Sequence, residues 1–178
     1  MTAPEDAAFS PSFSLRIVQQ ITRTQTGSRI YGRVVPPFDR FLMLRSKGKI
    51  SLSPGDGSGL GGLALLTTTG AKSAKKRHTP LGYAPDGDNV VIIASNASHG
   101  RNPAWYFNLK VNPEVMITRR GGHQGVYRAA EVPPGDERER LWKVACEMYP
   151  GFADYQVRAD RVIPLIHCTP LVRTSPDD

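Results

Sequence analysis

The chain has 178 residues, a net charge of +7, and 39% hydrophobic and 22% charged side chains, with 17 glycines and 15 prolines. That length supports one domain with a real core and is short for two, while the glycine and proline content favours a turn-rich β or α+β chain over a helical bundle. No run of about 18 apolar residues is present, and the opening MTAPEDAAFSPSFSL lacks the basic-then-apolar layout of a secretory signal, so neither a membrane span nor export is expected.

Residues 1–12 read as disordered. A helix is expected from Ser10–Pro11, a cap followed by proline, with Phe13, Ile17, Val18 and Ile21 on one face. A second short helix fits Pro37–Arg45, and SLSPGDGSGLGG (Ser51–Gly62) reads as a flexible loop. After Gly62 the pattern changes to strands. Leu63–Thr68 suits a buried strand, and Arg77–Tyr83 a second one that Pro80 restricts to an edge or a bulge. Ala84–Asp88 forms a turn into Asn89–Ser95, NVVIIAS, the strongest strand signal in the chain. Asn102–Pro113 reads as one helix bounded by prolines, with Asn102 as its cap. EVMITRR and QGVYRAAEV form a hairpin around Gly121–Gly122. Asp136–Tyr149 is an acid-led helix stopped by Pro150, GFADYQVRAD a short helix or turn, and RVIPLIHC a last strand. About six short strands joined mainly through hairpins predict an antiparallel barrel-like sheet with peripheral helices, a mainly β or α+β chain.

Three segments carry possible chemistry. TTTGAKSAKKRHTPL (Thr67–Leu81) crowds Lys72, Lys75, Lys76 and Arg77 just after a buried strand and Gly70. It is either a solvated basic turn or an anion site in which Thr69, Ser73 and freed backbone N–H groups assist the cations. No G-x-x-x-x-G-K-[ST] is present, so a P-loop is excluded. Trp105, Tyr106 and Phe107 stand in a row and cannot all face one core. They either divide between core and surface or wall a flat aromatic ligand. Tyr149, Phe152 and Tyr155, at i, i+3 and i+6, serve core packing or present phenols to a substrate.

Other classes fail on the residues. The four histidines show no H-x-x-H spacing, so no metal site is expected. Cys146 and Cys168 make no C-x-x-C and no nucleophile context, which points to a reduced, cytoplasmic compartment. There is no G-x-S-x-G, and the aromatic segment is no RNP-type strand, so hydrolase and nucleic-acid readings are set aside. The positive charge leaves an acidic small molecule as the favoured partner, with contact between the N-terminal helix and an anionic bilayer as a weaker one.

In order and at their separations, LLTTTGAKSAKKRHTPL, ASNASHGRNPAWYFNLKVNP and MYPGFADYQ resemble the deazaflavin-dependent nitroreductase family of actinobacteria, split β-barrel proteins that bind coenzyme F420. The resemblance runs from about Gly61 to Pro170. It implies a helical extension at 1–60, a cofactor-binding split barrel at 61–172 and a disordered tail at 173–178. It also implies an oxidoreductase that moves a hydride from reduced F420 to an electron-poor acceptor such as a quinone, an enone or a nitroaromatic. Lys72, Ser73 and Arg77 would hold the phosphate and acidic tail. Pro80, Ile93, Ala94, Ser95 and Asn96 would line the cofactor groove, and Trp105 and Asn108 would stand on its ring-side helix. Tyr149, Phe152 and Tyr155 would form the substrate wall, with Tyr155 or Tyr149 polarising the acceptor or relaying a proton. Flavin mononucleotide, with a single phosphate, is the less favoured cofactor, and a non-catalytic F420 carrier is the rival that is not an enzyme. A monomer or homodimer in the cytoplasm is expected, with the inner face of the membrane as a peripheral alternative. The nitroimidazole-activating branch of the family has tyrosines matching Phe152 and Gly82, a lysine matching Asn96 and a methionine matching Ala104. The acceptor therefore differs more readily than the cofactor.

Overall fold

A computed structural model describes residues 41–46, 62–96, 100–119 and 122–171. Within them six strands, β1 (Gly62–Thr69), β2 (Lys76–Asp86), β3 (Asn89–Ile93), β4 (Glu114–Arg119), β5 (Gln124–Glu131) and β6 (Leu165–Pro170), close into a barrel in the order β1-β2-β3-β6-β5-β4. Every neighbouring pair is antiparallel. The helices are α1 (Ala104–Val111), α2 (Asp136–Met148) and α3 (Gly151–Arg158). The expected barrel with peripheral helices is the observed architecture. The N-terminal helix expected from Ser10 lies outside the described residues, as does any contact it makes. Of the helix expected over Pro37–Arg45, residues 41–45 are described and helical, with Met43 fully buried. Among the described residues, no helix is long and apolar enough to cross a membrane.

The barrel has a core on each side of its wall. Ala64, Leu66, Val90, Ile92, Val115, Ile117, Tyr127 and Ile166 point inward, and Trp105 and Leu109 of α1 join them. Outside, Leu141, Ala145, Phe152 and Tyr155 of α2 and α3 pack on Ala84, Val91, Ile93 and Leu165. The run NVVII is continuous because Val90 and Ile92 serve the inner core while Val91 and Ile93 serve the outer one. Burying each such side chain contributes about 1.5–3 kcal/mol.

Several boundaries differ from the sequence expectation. β2 continues through the expected Ala84–Asp88 turn as far as Asp86, leaving Gly87, at φ +61°, to make the reversal. The strand pairs with β1 up to Tyr83 and with β3 from Tyr83 onward. Pro80 and Pro85 each lie where only one side is paired, so a missing N–H is tolerated. Asn102 does not cap α1; Pro103 occupies that position with no side-chain capping bond. The last strand begins at Leu165 and not at Arg161, because residues 161–164, including Pro164, form the approach to it.

Candidate active site

Because β1 and β3 both run antiparallel to β2, their C-terminal ends emerge at the same rim, where β2, β4 and β6 begin. That rim gathers the cationic loop, α1, the segment entering α1 and the α3–β6 connection. Most of the residues singled out from the sequence for chemistry belong to these pieces; Arg77 and Pro80 lie on β2, Ile93 ends β3, and Tyr149, Phe152 and Tyr155 lie on and beside the helices outside the wall.

The cationic loop is short and self-braced. Gly70 N–H donates to Lys75 O at 2.9 Å, and Ala74 N–H donates to Gly70 O at 2.9 Å. A Cβ on Gly70 would stand 2.6 Å from Ser73 Oγ and 3.2 Å from the Lys75 carbonyl, so a side chain there would push the Ser73 hydroxyl aside and crowd the turn. Lys76 Nζ donates to Thr69 Oγ1 at 3.0 Å. Lys72, Ser73, Lys75 and Arg77 remain exposed.

Two asparagines, Asn108 on α1 and Asn112 just past its end, fasten this loop to the barrel. Asn108 Oδ1 accepts Ala71 N–H at 3.1 Å while its Nδ2 donates to the buried Thr68 hydroxyl at 3.0 Å. Asn112 Nδ2 donates to Thr69 O at 3.2 Å. Sequence reasoning placed Asn108 among the cofactor residues and missed Asn112. Their i, i+4 spacing, which puts both on one helical face, was the available signal. The aromatic row divides between core and surface: Trp105 is buried, Tyr106 packs against the inner core and donates its hydroxyl to Glu131 at 2.8 Å, and Phe107 is half-exposed. Burial, then the hydrogen bond to Glu131, raises the Tyr106 pKa.

The outer face of β2 carries Pro80, Gly82 and Ala84 by alternation. Gly82 is exposed, and a Cβ there would lie 3.8 Å from Met148 Cε at the end of α2. Tyr149, Phe152 and Tyr155 follow directly and pack as one aromatic group, with ring centroids 5.2 Å apart for Tyr149–Phe152 and 6.3 Å for Phe152–Tyr155. The Tyr149 and Tyr155 hydroxyls stand 3.4 Å apart. Ile93 belongs to the same outer cluster. Phe152 and Tyr155 are mostly buried, and Tyr149 is only partly so. From Arg77 to Gly82 is five residues of strand, about 16 Å. The cationic loop therefore stands at the start of β2 and the aromatic group beside its later half, with Arg77 and Gly82 alternating to opposite faces of the strand.

Beyond β3, Ala94 is fully buried, its N–H donating to Pro164 O and its carbonyl accepting Arg161 Nη2. It offers backbone position and no side-chain surface. Ser95 is nearly buried and also gives its carbonyl to Arg161, at 3.3 Å. Asn96 sits at φ +49° and donates Nδ2 to Arg101 O at 3.0 Å. Sequence reasoning missed Arg161, which ties these pieces together. Neither cysteine is an activated nucleophile: burial pushes Cys168 up to about 12 and raises Cys146.

Residues 51–170 match the family model for F420H(2)-dependent quinone reductase. The chain belongs to that family. Over 106 residues it is 41% identical to the F420H(2)-dependent quinone reductase Rv1261c of Mycobacterium tuberculosis, covering 59% of this chain and 71% of that one. Among solved structures, an F420-H2 dependent reductase (FDR-A) shares 41% identity with a TM-score of 0.53, over 60% of this chain and 92% of that one. A second, described as a domain-swapped dimer, shares 41% identity with a TM-score of 0.55, over 60% and 78%. As a member of the F420H(2)-dependent quinone reductase family, the chain is an F420-dependent oxidoreductase with coenzyme F420 as its cofactor.

The described residues fit such a ligand. A molecule with a polyanionic tail and a flat ring needs several cations at one end and apolar surface at the other. The exposed Lys72, Lys75 and Arg77 around Gly70 supply the first, and the face of Pro80, Gly82 and Ile93 beside the aromatic group supplies the second.

Proposed function

We propose that the protein reduces a quinone, with related enones and nitroaromatics as poorer acceptors. Residues 61–172 act as the cofactor-binding domain. Bound reduced F420 supplies the hydride. In this reading Lys72, Ser73 and Arg77 grip the anionic tail, Arg77 by a bidentate fork and Lys72 as a point charge. Pro80, Ile93, Ala94, Ser95 and Asn96 border the ring, while Trp105 and Asn108 keep α1 and the loop in place beside it. Tyr149, Phe152 and Tyr155 wall the acceptor, and the Tyr155 or Tyr149 hydroxyl donates to its carbonyl oxygen.

The observation that carries this is the course of β2. The strand leaves the cationic loop at Lys76 and reaches the open Gly82 beside Met148 and the aromatic group. One extended ligand laid along it would meet cations first and phenols last. A quinone suits the wall because it is flat, apolar and presents carbonyl oxygens to hydroxyl donors. The family name and the M. tuberculosis relative's name support the same acceptor. An assembly of two copies fits this reading, in line with the relative described as a domain-swapped dimer. Both cysteines are free, which supports a cytoplasmic setting.

The test has two arms. Titration with F420 and with flavin mononucleotide should show tighter F420 binding that weakens as salt rises, because several charges are neutralised. Absorbance of reduced F420 should then fall fastest with menadione, compared with cyclohexenone and a nitroimidazole. Binding without turnover of any acceptor would replace this reading with that of a carrier.

A further inference from the structure

Among the described residues, three buried side-chain polar atoms lack a hydrogen-bond partner: Oδ1 of Asn102, and Nε and Nη1 of Arg161. They belong to one place. Arg161 Nη2 donates to the carbonyls of Ala94, Ser95 and Arg101 at 3.1, 3.3 and 3.4 Å, and Asn102 directly follows Arg101. Leaving such a group dry costs roughly 1–3 kcal/mol, and more when it is charged. Folded chains therefore seldom keep one without a use. No carboxylate pairs with Arg161 among the described residues, and burial lowers its pKa.

The guanidinium is also held in place. Gln156 of α3 clamps the chain on both sides of it, donating Nε2 to Arg161 O at 2.8 Å and accepting Ile163 N–H on Oε1 at 2.9 Å. Arg138 adds a third tie, to Ile163 O at 2.7 Å. Unmet donors and an unmet acceptor on residues joined through the Arg101 carbonyl match a planar group that sets a carbonyl beside an N–H. A deazaflavin ring carries such a group, since its pyrimidinedione edge has two carbonyls flanking one N–H.

We propose that Arg161 and Asn102 read the pyrimidinedione edge of the F420 ring, with one Arg161 N–H donating to a ring carbonyl and Asn102 Oδ1 accepting the neighbouring ring N–H. Gln156 is the positioning residue that presents the guanidinium. Tail and ring are then recognised by separate pieces of the same rim: the loop after β1 for charge, and the junction of β3, α1 and the α3–β6 connection for ring identity. This rests on the F420 cofactor and is independent of which acceptor is reduced.

Fluorescence titration tests it with three ligands: F420, the 8-hydroxy-5-deazaflavin chromophore without phosphate or tail, and that chromophore methylated at the pyrimidine N–H. Arg161→Gln should weaken F420 and the tail-less chromophore by the same factor, about 10–100-fold, as expected for a lost charged hydrogen bond. Lys72→Ala should weaken F420 alone. Asn102→Leu should weaken the unmethylated chromophore and leave the methylated one as the parent binds it. Unchanged chromophore affinity in Arg161→Gln, even with a lowered melting temperature, would make the residue a structural tie and overturn the proposal. A loss confined to F420 would move Arg161 to the tail and overturn it equally. A parent that fails to bind the tail-less chromophore would also count against a ring site. Should Arg161→Gln not fold, Asn102→Leu decides alone, and an equal loss with both chromophores, or none, rejects the assignment.

Discussion

Asn108 accepts the Ala71 N–H at 3.1 Å on its side-chain oxygen, and this bond ties the cationic loop to a helix on the barrel rim. The other end of the same amide satisfies the fully buried Thr68 hydroxyl. Asn108→Ala breaks both bonds and strands that hydroxyl, at a cost of about 1–3 kcal/mol. Urea unfolding should show this loss, and F420 affinity should fall with it because Lys72 and Ser73 ride on the released loop. Asn112→Ala, whose single bond goes to the Thr69 carbonyl, should have a smaller effect on both readings.

Lys72→Ala and Arg77→Ala should each weaken F420 binding by about 1–3 kcal/mol, as charge-assisted contacts do. Both side chains are exposed, so unfolding midpoints should hold. Unchanged F420 affinity in a folded double variant would return the loop to a solvated basic turn.

Gly151 matters through Tyr149. A Cβ on this residue would lie 2.4 Å from Cε1 and Cζ of the Tyr149 ring. The ring is the movable partner, so Gly151→Ala should displace it and separate the two phenols while costing little stability. Turnover should fall with F420 affinity retained. Parent-like turnover would show that the position of Tyr149 is immaterial.

The strands were legible because their physical causes are local. LALLTT and NVVII are apolar runs bounded by glycine, asparagine and proline, and the antiparallel barrel follows from their short connections. The extent of β2 was not legible, because whether Pro85 can sit in a strand depends on which side is paired there, and its partner changes at Tyr83. Asn102 looked like a cap because Asn before a helix usually is one, but the proline after it took that role. The cationic loop announced itself by composition. Arg161 did not, since in QVRADRV it resembles Arg158, and the two part only in the fold, Arg161 on three carbonyls and Arg158 over the Tyr155 ring.

Strong acid should weaken a tie on the far side of the barrel. Asp86 accepts both Nη atoms of Arg140, at 2.8 and 3.1 Å, and pairs with His167 Nε2 at 3.0 Å. The Arg140 hydrogen bond, opposed by burial, holds its carboxyl below the ordinary carboxylate value. A carboxyl depressed on folding stabilises the chain above its unfolded pKa, near 3.8, and loses that contribution as pH falls through the folded value. Asp86→Asn should therefore destabilise the protein by about 0.5–1 kcal/mol at neutral pH. The difference should vanish in strong acid, as read from urea midpoints against pH.

Tyr155 separates an enzyme from a carrier. Its ring is buried against Phe152 and Tyr149 while its hydroxyl stands 3.4 Å from that of Tyr149. Tyr155→Phe keeps the ring and its packing, so the fold and F420 affinity should stay as in the parent. Loss of a donor that strengthens as charge develops on the acceptor oxygen should lower turnover by about 10–100-fold, or roughly 1.4–2.7 kcal/mol. Tyr149→Phe is the paired measurement, because two phenols this close can exchange the role and Phe152 has no proton to give. Both variants are to be assayed with saturating reduced F420 and menadione. A fall in one alone assigns the donor, and a fall in both makes the pair the working unit. Parent-like turnover in both, and in the double variant, would leave the tyrosines as core residues and assign the proton to water.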